Sequence, residues 1–308
     1  NINYKTMEYK VLLFYKFVVV EDPESVMFWQ KQLCENLGLK GRIIIAKHGI
    51  NGTLGGSMVG CKAYVKKMNR HSKFKKISYK WSEGTGDDFP KLSVKVRNEL
   101  VTLDPEREFD VFNKSKGLSP TAWHRYLEKN PDVTILDARN VYESEIGAFK
   151  SGSKNLIVPK INAFKEIKDH LKKVPKDKPV LTYCTGDVRC EYLSAYMKDQ
   201  GFAEVYHLEG GIVKYGQKYG EDGFWDGKCF TFDNRMKLDF GTGEKKQDLA
   251  ECGSCGRKTS EQTNCSFVKC NMLQVVCASC QKNGFRCFSC GKTGMGRKLE
   301  GKTFKTSE

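Results

Sequence analysis

No apolar run in this chain of 308 residues approaches the roughly 20 that a membrane-spanning helix needs; residues 11–20 come nearest, and Lys16 interrupts them before Glu21 and Asp22. The opening residues also lack the basic-then-apolar pattern of a secretory leader. Both absences lead us to expect a soluble, cytoplasmic protein with no membrane partner. Histidine is scarce: His48, His71, His124, His170 and His207 are dispersed, and none joins a histidine or carboxylate set suited to a redox iron. Each is expected to be a surface or packed residue. The glycine-rich residues 49–56 lack the Lys-Ser/Thr pair of a phosphate loop, so a hairpin turn is expected there.

Positive charge is abundant. Lysine and arginine number 52 against 37 acidic residues, a net charge of +15. Such an excess attracts polyanions by releasing their counterions, which makes a nucleic acid the first partner to consider. Lys62, Lys66, Arg70 and Lys73 recur at near-helical spacing, with Lys67, Lys75, Lys76 and Lys80 nearby. A helix there would present a basic ridge, either an RNA contact or an ordinary solvated face.

The length allows two or three domains, and 39% hydrophobic content supports packed cores. Up to residue 104 the pattern alternates strand, helix, strand, strand, helix, strand, with strands expected at 9–20, 41–46 and 76–81 and helices at 23–37 and through Val65 and Met68. That order is a ferredoxin-like α/β sandwich. A connector strand is expected within residues 91–103, and Ser119-Pro120 should cap a helix through Trp123 and Tyr126.

The densest chemical signal follows. Residues 180–183 form an apolar β run that delivers Cys184 to its carboxyl end; the short loop Thr185, Gly186, Asp187, Val188 leads to Arg189, and a helical pattern begins at once. A helix N-terminus and a nearby cation both lower a thiol pKa, so Cys184 is the candidate nucleophile. The competing reading is an inert, buried strand-end cysteine. Four residues separate Cys184 from Arg189, whereas tyrosine phosphatase loops carry five, and the smaller ring of amides suits a persulfide better than a phosphoryl group. Cys190, directly after the arginine, could act as a resolving thiol.

The thirteen cysteines are odd in number and clustered, unlike a secreted disulfide framework. Beyond residue 223, Cys252 with Cys255, Cys265 with Cys270, Cys277 with Cys280 and Cys287 with Cys290 form four close pairs. Eight thiolates make two closed tetrahedral sites, with zinc the expected ion and iron–sulfur ligation or free thiols the alternatives. We expect the first pair to join the third and the second the fourth; sequential pairing is nearly as compatible. The basic tail at residues 292–305 is a further candidate RNA arm. Cys34, Cys61 and Cys229 are expected to be packed.

Residues 117–220 resemble a rhodanese domain. The carriers are Asp137-Ala138-Arg139, Glu143, Gly147, the Tyr183–Arg189 loop and the closing Gly210-Gly211. Two positions depart from that pattern: Asp187 replaces a glycine and Cys190 a serine. Over nearly its whole length the chain resembles the rhodanese-domain tRNA uridine hydroxylases, through Gly49-Ile50-Asn51-Gly52-Thr53, Lys95-Val96-Arg97, Glu99-Leu100-Val101-Thr102-Leu103, the active loop, Phe230-x-Phe232-Asp233-x-Arg235-Met236 and the cysteine cluster. His48 departs from the acidic residue expected there. The resemblance implies an enzyme that forms 5-hydroxyuridine at the wobble position of tRNA, with molecular oxygen as co-substrate and a persulfide on Cys184. Arg189 would stabilise charge, and Asp137 and Arg139 would orient the loop or the incoming sulfur donor. The division expected is residues 1–104, 105–222 (rhodanese) and 223–308 (cysteine-rich). A sulfurtransferase without an RNA substrate, or a non-enzymatic adaptor, would share many of these features.

Overall fold

A computed structural model describes residues 8–150, 152–240, 247–267, 269–282, 284–287 and 290; the basic tail at 292–305 lies outside them. In the N-terminal part, strands β1 (Tyr9–Phe17), β2 (Lys40–Ala46), β3 (Gly49–Ser57) and β4 (Lys80–Glu83) and helices α1 (Pro23–Asn36) and α2 (Met58–Arg70) follow the ferredoxin-like order. The connector strand β5 (Leu92–Val96) extends the sheet to β4-β1-β3-β2-β5.

Glycine places β3. Residues 49–56 do not form the expected turn, which falls at Lys47 and His48; they pair with β1 and β2 throughout. A Cβ on Gly52 would lie 2.5 Å from the Phe14 ring, so its missing side chain lets that core aromatic lie flat on the strand opposite. β4 begins later than expected, because Lys76 takes a positive φ of 63° and interrupts any strand there. Alternation along β1 divides its side chains. Leu12 and Phe14 enter the core under the helices, whereas Leu13 and Phe17 pack against clusters of the central domain. The helix-free face of this sheet is therefore an inter-domain surface.

The central domain contains β6 (Lys116–Leu118), α3 (Pro120–Lys129), β7 (Thr134–Asp137), α4 (Val141–Ser144), β8 (Gly147–Ala148), β9 (Asn155–Ile157), α5 (Ile167–His170), β10 (Val180–Tyr183), α6 (Val188–Asp199), β11 (Val205–Leu208) and α7 (Gly211–Tyr219). Ser119 caps α3 by accepting from the Ala122 amide. All pairings in the sheet β6-β11-β10-β7-β9 are parallel. β10 is its fully buried central strand, so Cys184 leaves the carboxyl edge where open parallel sheets place their sites. Beyond it, β12 (Asp226–Gly227) pairs with β8, β13 (Cys229–Phe230) with β14 (Lys237–Leu238), and β15 (Gln262–Asn264) with β16 (Leu273–Val275), ahead of α8 (Ala278–Gln281). Among the described residues no helix is long and apolar enough to cross a membrane.

Candidate active site and cysteine clusters

Cys184 is 1% exposed and sits among apolar neighbours, yet the loop is folded onto its sulfur. The Asp187 amide donates to Sγ at 3.1 Å, and α6 begins at the next residue. Burial pushes this thiol up, but a hydrogen bond from Cys190, then the Arg189 charge, outweigh it and bring the pKa down to about 6. Behind the loop, a Cβ on Gly211 (φ +65°) would lie 2.5 Å from the Thr185 carbonyl oxygen, so only glycine lets α7 close on it. The Ile212 amide then donates to the Cys184 carbonyl.

Asp187 occupies a left-handed position with φ 84°, a conformation that explains the glycine in the related pattern. Its carboxylate turns away from the sulfur. Oδ1 lies 2.7 Å from His207 Nδ1, while Oδ2 accepts from the Gly210 amide at 3.0 Å and from Tyr15 Oη at 2.7 Å. The Tyr15 hydroxyl is also 2.6 Å from Glu191, which pairs with Lys114. Burial alone would raise the Asp187 pKa, but His207 holds it below its usual range; burial alone would lower that of His207, but Asp187 raises it.

Arg189 donates to both oxygens of the buried Glu143, each at 2.7 Å, and Glu143 accepts from Thr185 Oγ1. Sequence reasoning placed Glu143 at the right spacing without giving it this role. Phe232, 40% exposed, carries the Arg189 guanidinium 5.6 Å from its ring centroid.

Asp137 and Arg139 do not face an incoming molecule. Both are fully buried and form a two-pronged ion pair; Arg139 also donates to the Glu143 and Gly147 carbonyls, and Asp137 accepts from Tyr183 Oη at 2.6 Å. They brace the strand end that carries Cys184. Cys190 is also fully buried, 3.5 Å from Thr182 Oγ1, and burial pushes its thiol well up. It is placed as a hydrogen-bond donor rather than an attacking thiolate.

The predicted basic ridge divides. Lys62, Lys66 and Arg70 are exposed at four-residue spacing on α2, whereas Lys73 lies beyond the helix and pairs with Glu21. Lys80 is not on this surface at all: it is 4% exposed, on the opposite side of the sheet. His207, expected to be a surface or packed residue, ties down the active loop. Cys34, Cys61 and Cys229 are buried.

The cysteine pairs interleave. The sulfurs of Cys252, Cys255, Cys277 and Cys280 lie within 4.8 Å of one another, as do those of Cys265, Cys270, Cys287 and Cys290. Sγ separations of 3.7 Å (Cys255–Cys277) and 3.6 Å (Cys270–Cys287) match the edge of about 3.8 Å that follows from Zn–S bonds of about 2.3 Å in a tetrahedron. The Cys277 and Cys287 amides donate to Cys252 and Cys265 Sγ, an outer layer that suits bound thiolates.

Residues 9–100 match the UPF0176 acylphosphatase like domain, 119–218 the rhodanese-like domain and 226–293 the rhodanase C-terminal domain. The tRNA uridine(34) hydroxylase of Corynebacterium diphtheriae is 43% identical over 288 residues, which cover 89% of this chain and 91% of that one. The protein of the same name from Corynebacterium jeikeium is 44% identical over 283 residues (89% and 90%), and that from Arthrobacter sp. is 41% identical over 284 (88% and 94%). On this end-to-end similarity, the chain belongs to the tRNA uridine(34) hydroxylase family.

Proposed function

We propose that this protein is a tRNA-modifying oxidoreductase of the cytoplasm that hydroxylates the wobble uridine at C5, with Cys184 as its nucleophile and molecular oxygen as co-substrate. The observation that carries this reading is identity above 40% across almost the full length of relatives bearing that name. The site geometry supports the sulfur chemistry. Thiolate Cys184 attacks the outer sulfur of a donor; the new S–S bond forms as the donor's own bond to that sulfur breaks, and the donor leaves with the electron pair. The Asp187 amide and the α6 N-terminus stabilise the resulting persulfide anion, with Arg189 held by Glu143 on the far side. Cys190 remains a thiol donor to the reactive sulfur. With Sγ almost wholly covered, a donor reaches it only after a local opening.

Lys62, Lys66 and Arg70 supply phosphate contacts on α2, and the basic tail at 292–305 is assigned the same role. The two four-cysteine sets hold zinc as structural ions, which takes the place of the core that such a short, polar segment lacks. In cells deprived of this gene, mass spectrometry of tRNA nucleosides should show loss of 5-hydroxyuridine. An unchanged nucleoside profile would refute the reading and leave a sulfurtransferase without an RNA substrate.

A further inference from the structure

Cations and acidic groups crowd the active loop, and three pairs of them are already matched. Arg189 is held by Glu143, His207 by Asp187 and Lys114 by Glu191. Of the rest, Lys214 donates to Ser78 Oγ, and Lys80 and Cys184 are left without an ion pair. Lys80 lies directly opposite Leu13 in the β4–β1 register, so both side chains leave the sheet on the face that packs against the central domain. On that face Leu13 touches Gly186: a Cβ there would be 2.5 Å from Leu13 Cδ2. The Lys80 ammonium is nearly buried and lies 4.7 Å from the centroid of the Tyr15 ring, whose hydroxyl reaches Asp187. It makes no hydrogen bond or ion pair of its own with the described residues. An ammonium this covered, met by a ring face alone, is costly unless a nearby anion completes it.

We infer that Lys80, carried by the N-terminal sheet, joins Arg189 as a second counter-charge of the Cys184 thiolate and of the anionic sulfur that Cys184 takes up, so that the reactive sulfur is fully assembled only when the two domains are docked. The inference rests on Cys184 being the nucleophile. Lys80 acts as a positioning residue through its charge. The charged or titratable groups that bear on it are Cys184 and Asp187 in the loop, Glu191 on α6, Lys214 on α7 and Tyr15 on β1. Burial lowers its pKa to about 8, which leaves it cationic throughout the range in which Cys184 titrates.

The test is the pH dependence of iodoacetamide alkylation at Cys184, followed on the full chain by peptide mass spectrometry, with thermal melting as a check of folding. Lys80→Met should raise the midpoint by about one pH unit, a tenfold smaller thiolate fraction at a pH below it, and Lys80→Arg should restore the low midpoint. A purely structural lysine would not produce that pattern. Should Lys80→Met fail to fold, Lys80→Gln gives the same reading. A low wild-type midpoint that neither neutral variant moves overturns the role of Lys80 alone. A wild-type Cys184 that titrates like an ordinary thiol overturns the nucleophile assignment itself.

Discussion

The left-handed residue at the active loop shows how a side chain can replace a glycine. Asp187 tolerates φ 84° because its carboxylate is fixed by His207, Tyr15 and the Gly210 amide, and the same bonds turn its charge away from the sulfur. This predicts a pH signature. His207 has a folded pKa raised above its ordinary 6.5, so its ion pair contributes full stability below that value and loses it as pH rises through the folded pKa. Urea midpoints of the wild type should therefore fall over that window, while those of His207→Gln, lower by about 3 kcal/mol of unfolding free energy on its acid side, should stay level and be approached by the wild type on its alkaline side. Parallel curves for the two proteins would mean that His207 is neutral in the fold. Nothing near Asp187 in the chain announces this network. Its partners come from β1 and β11, and only the parallel sheet and the docked N-terminal domain bring them together.

At the scale of elements, the strand–loop–helix around Cys184 was legible, because the apolar run of β10 and the helical pattern of α6 are local signals. The β-α-β-β-α-β order was legible for the same reason. The conformation of residues 49–57 was not: glycine signals a turn, but here it makes room for Phe14, a neighbour from another strand. Lys80 was misplaced by a similar limit. On a strand of four residues the alternation is too short to show which face a lysine takes, and the covering surface belongs to another domain. The cysteine pairs were legible as knuckles; their interleaving follows from the β15–β16 hairpin, which places Cys265 and Cys270 in its connection. Chelation tests these elements. Native protein should release two equivalents of zinc to a chelator, and limited proteolysis should then cut within 247–290 first, with the central domain intact. Recovery of no metal from native protein, or chelation that leaves the cleavage pattern unchanged, would contradict structural ions.

Over the whole molecule, the N-terminal sheet presents helices and basic residues outwards and Leu13, Tyr15 and Lys80 inwards, so one small domain both exposes a cationic surface and covers the thiol. Arg235 reinforces the assembly: it pairs with Asp233 on the tip of the β13–β14 hairpin and donates to Ser82 Oγ and the Glu83 carbonyl of β4. If the net charge of +15 serves RNA binding, tRNA affinity should fall steeply with salt. Replacing Lys62, Lys66 and Arg70 together by glutamine should reduce the log–log slope by roughly 3, about one for each lost phosphate contact. An unchanged slope would move the RNA surface elsewhere. The central claim is that one ionised sulfur at the end of β10 carries the reaction. Its most direct test is complementation of a strain lacking its own hydroxylase with wild-type or Cys184→Ser protein at matched abundance, read as 5-hydroxyuridine per tRNA. Restoration by the wild type and none by the serine variant is the predicted result; equal restoration by both would contradict the account.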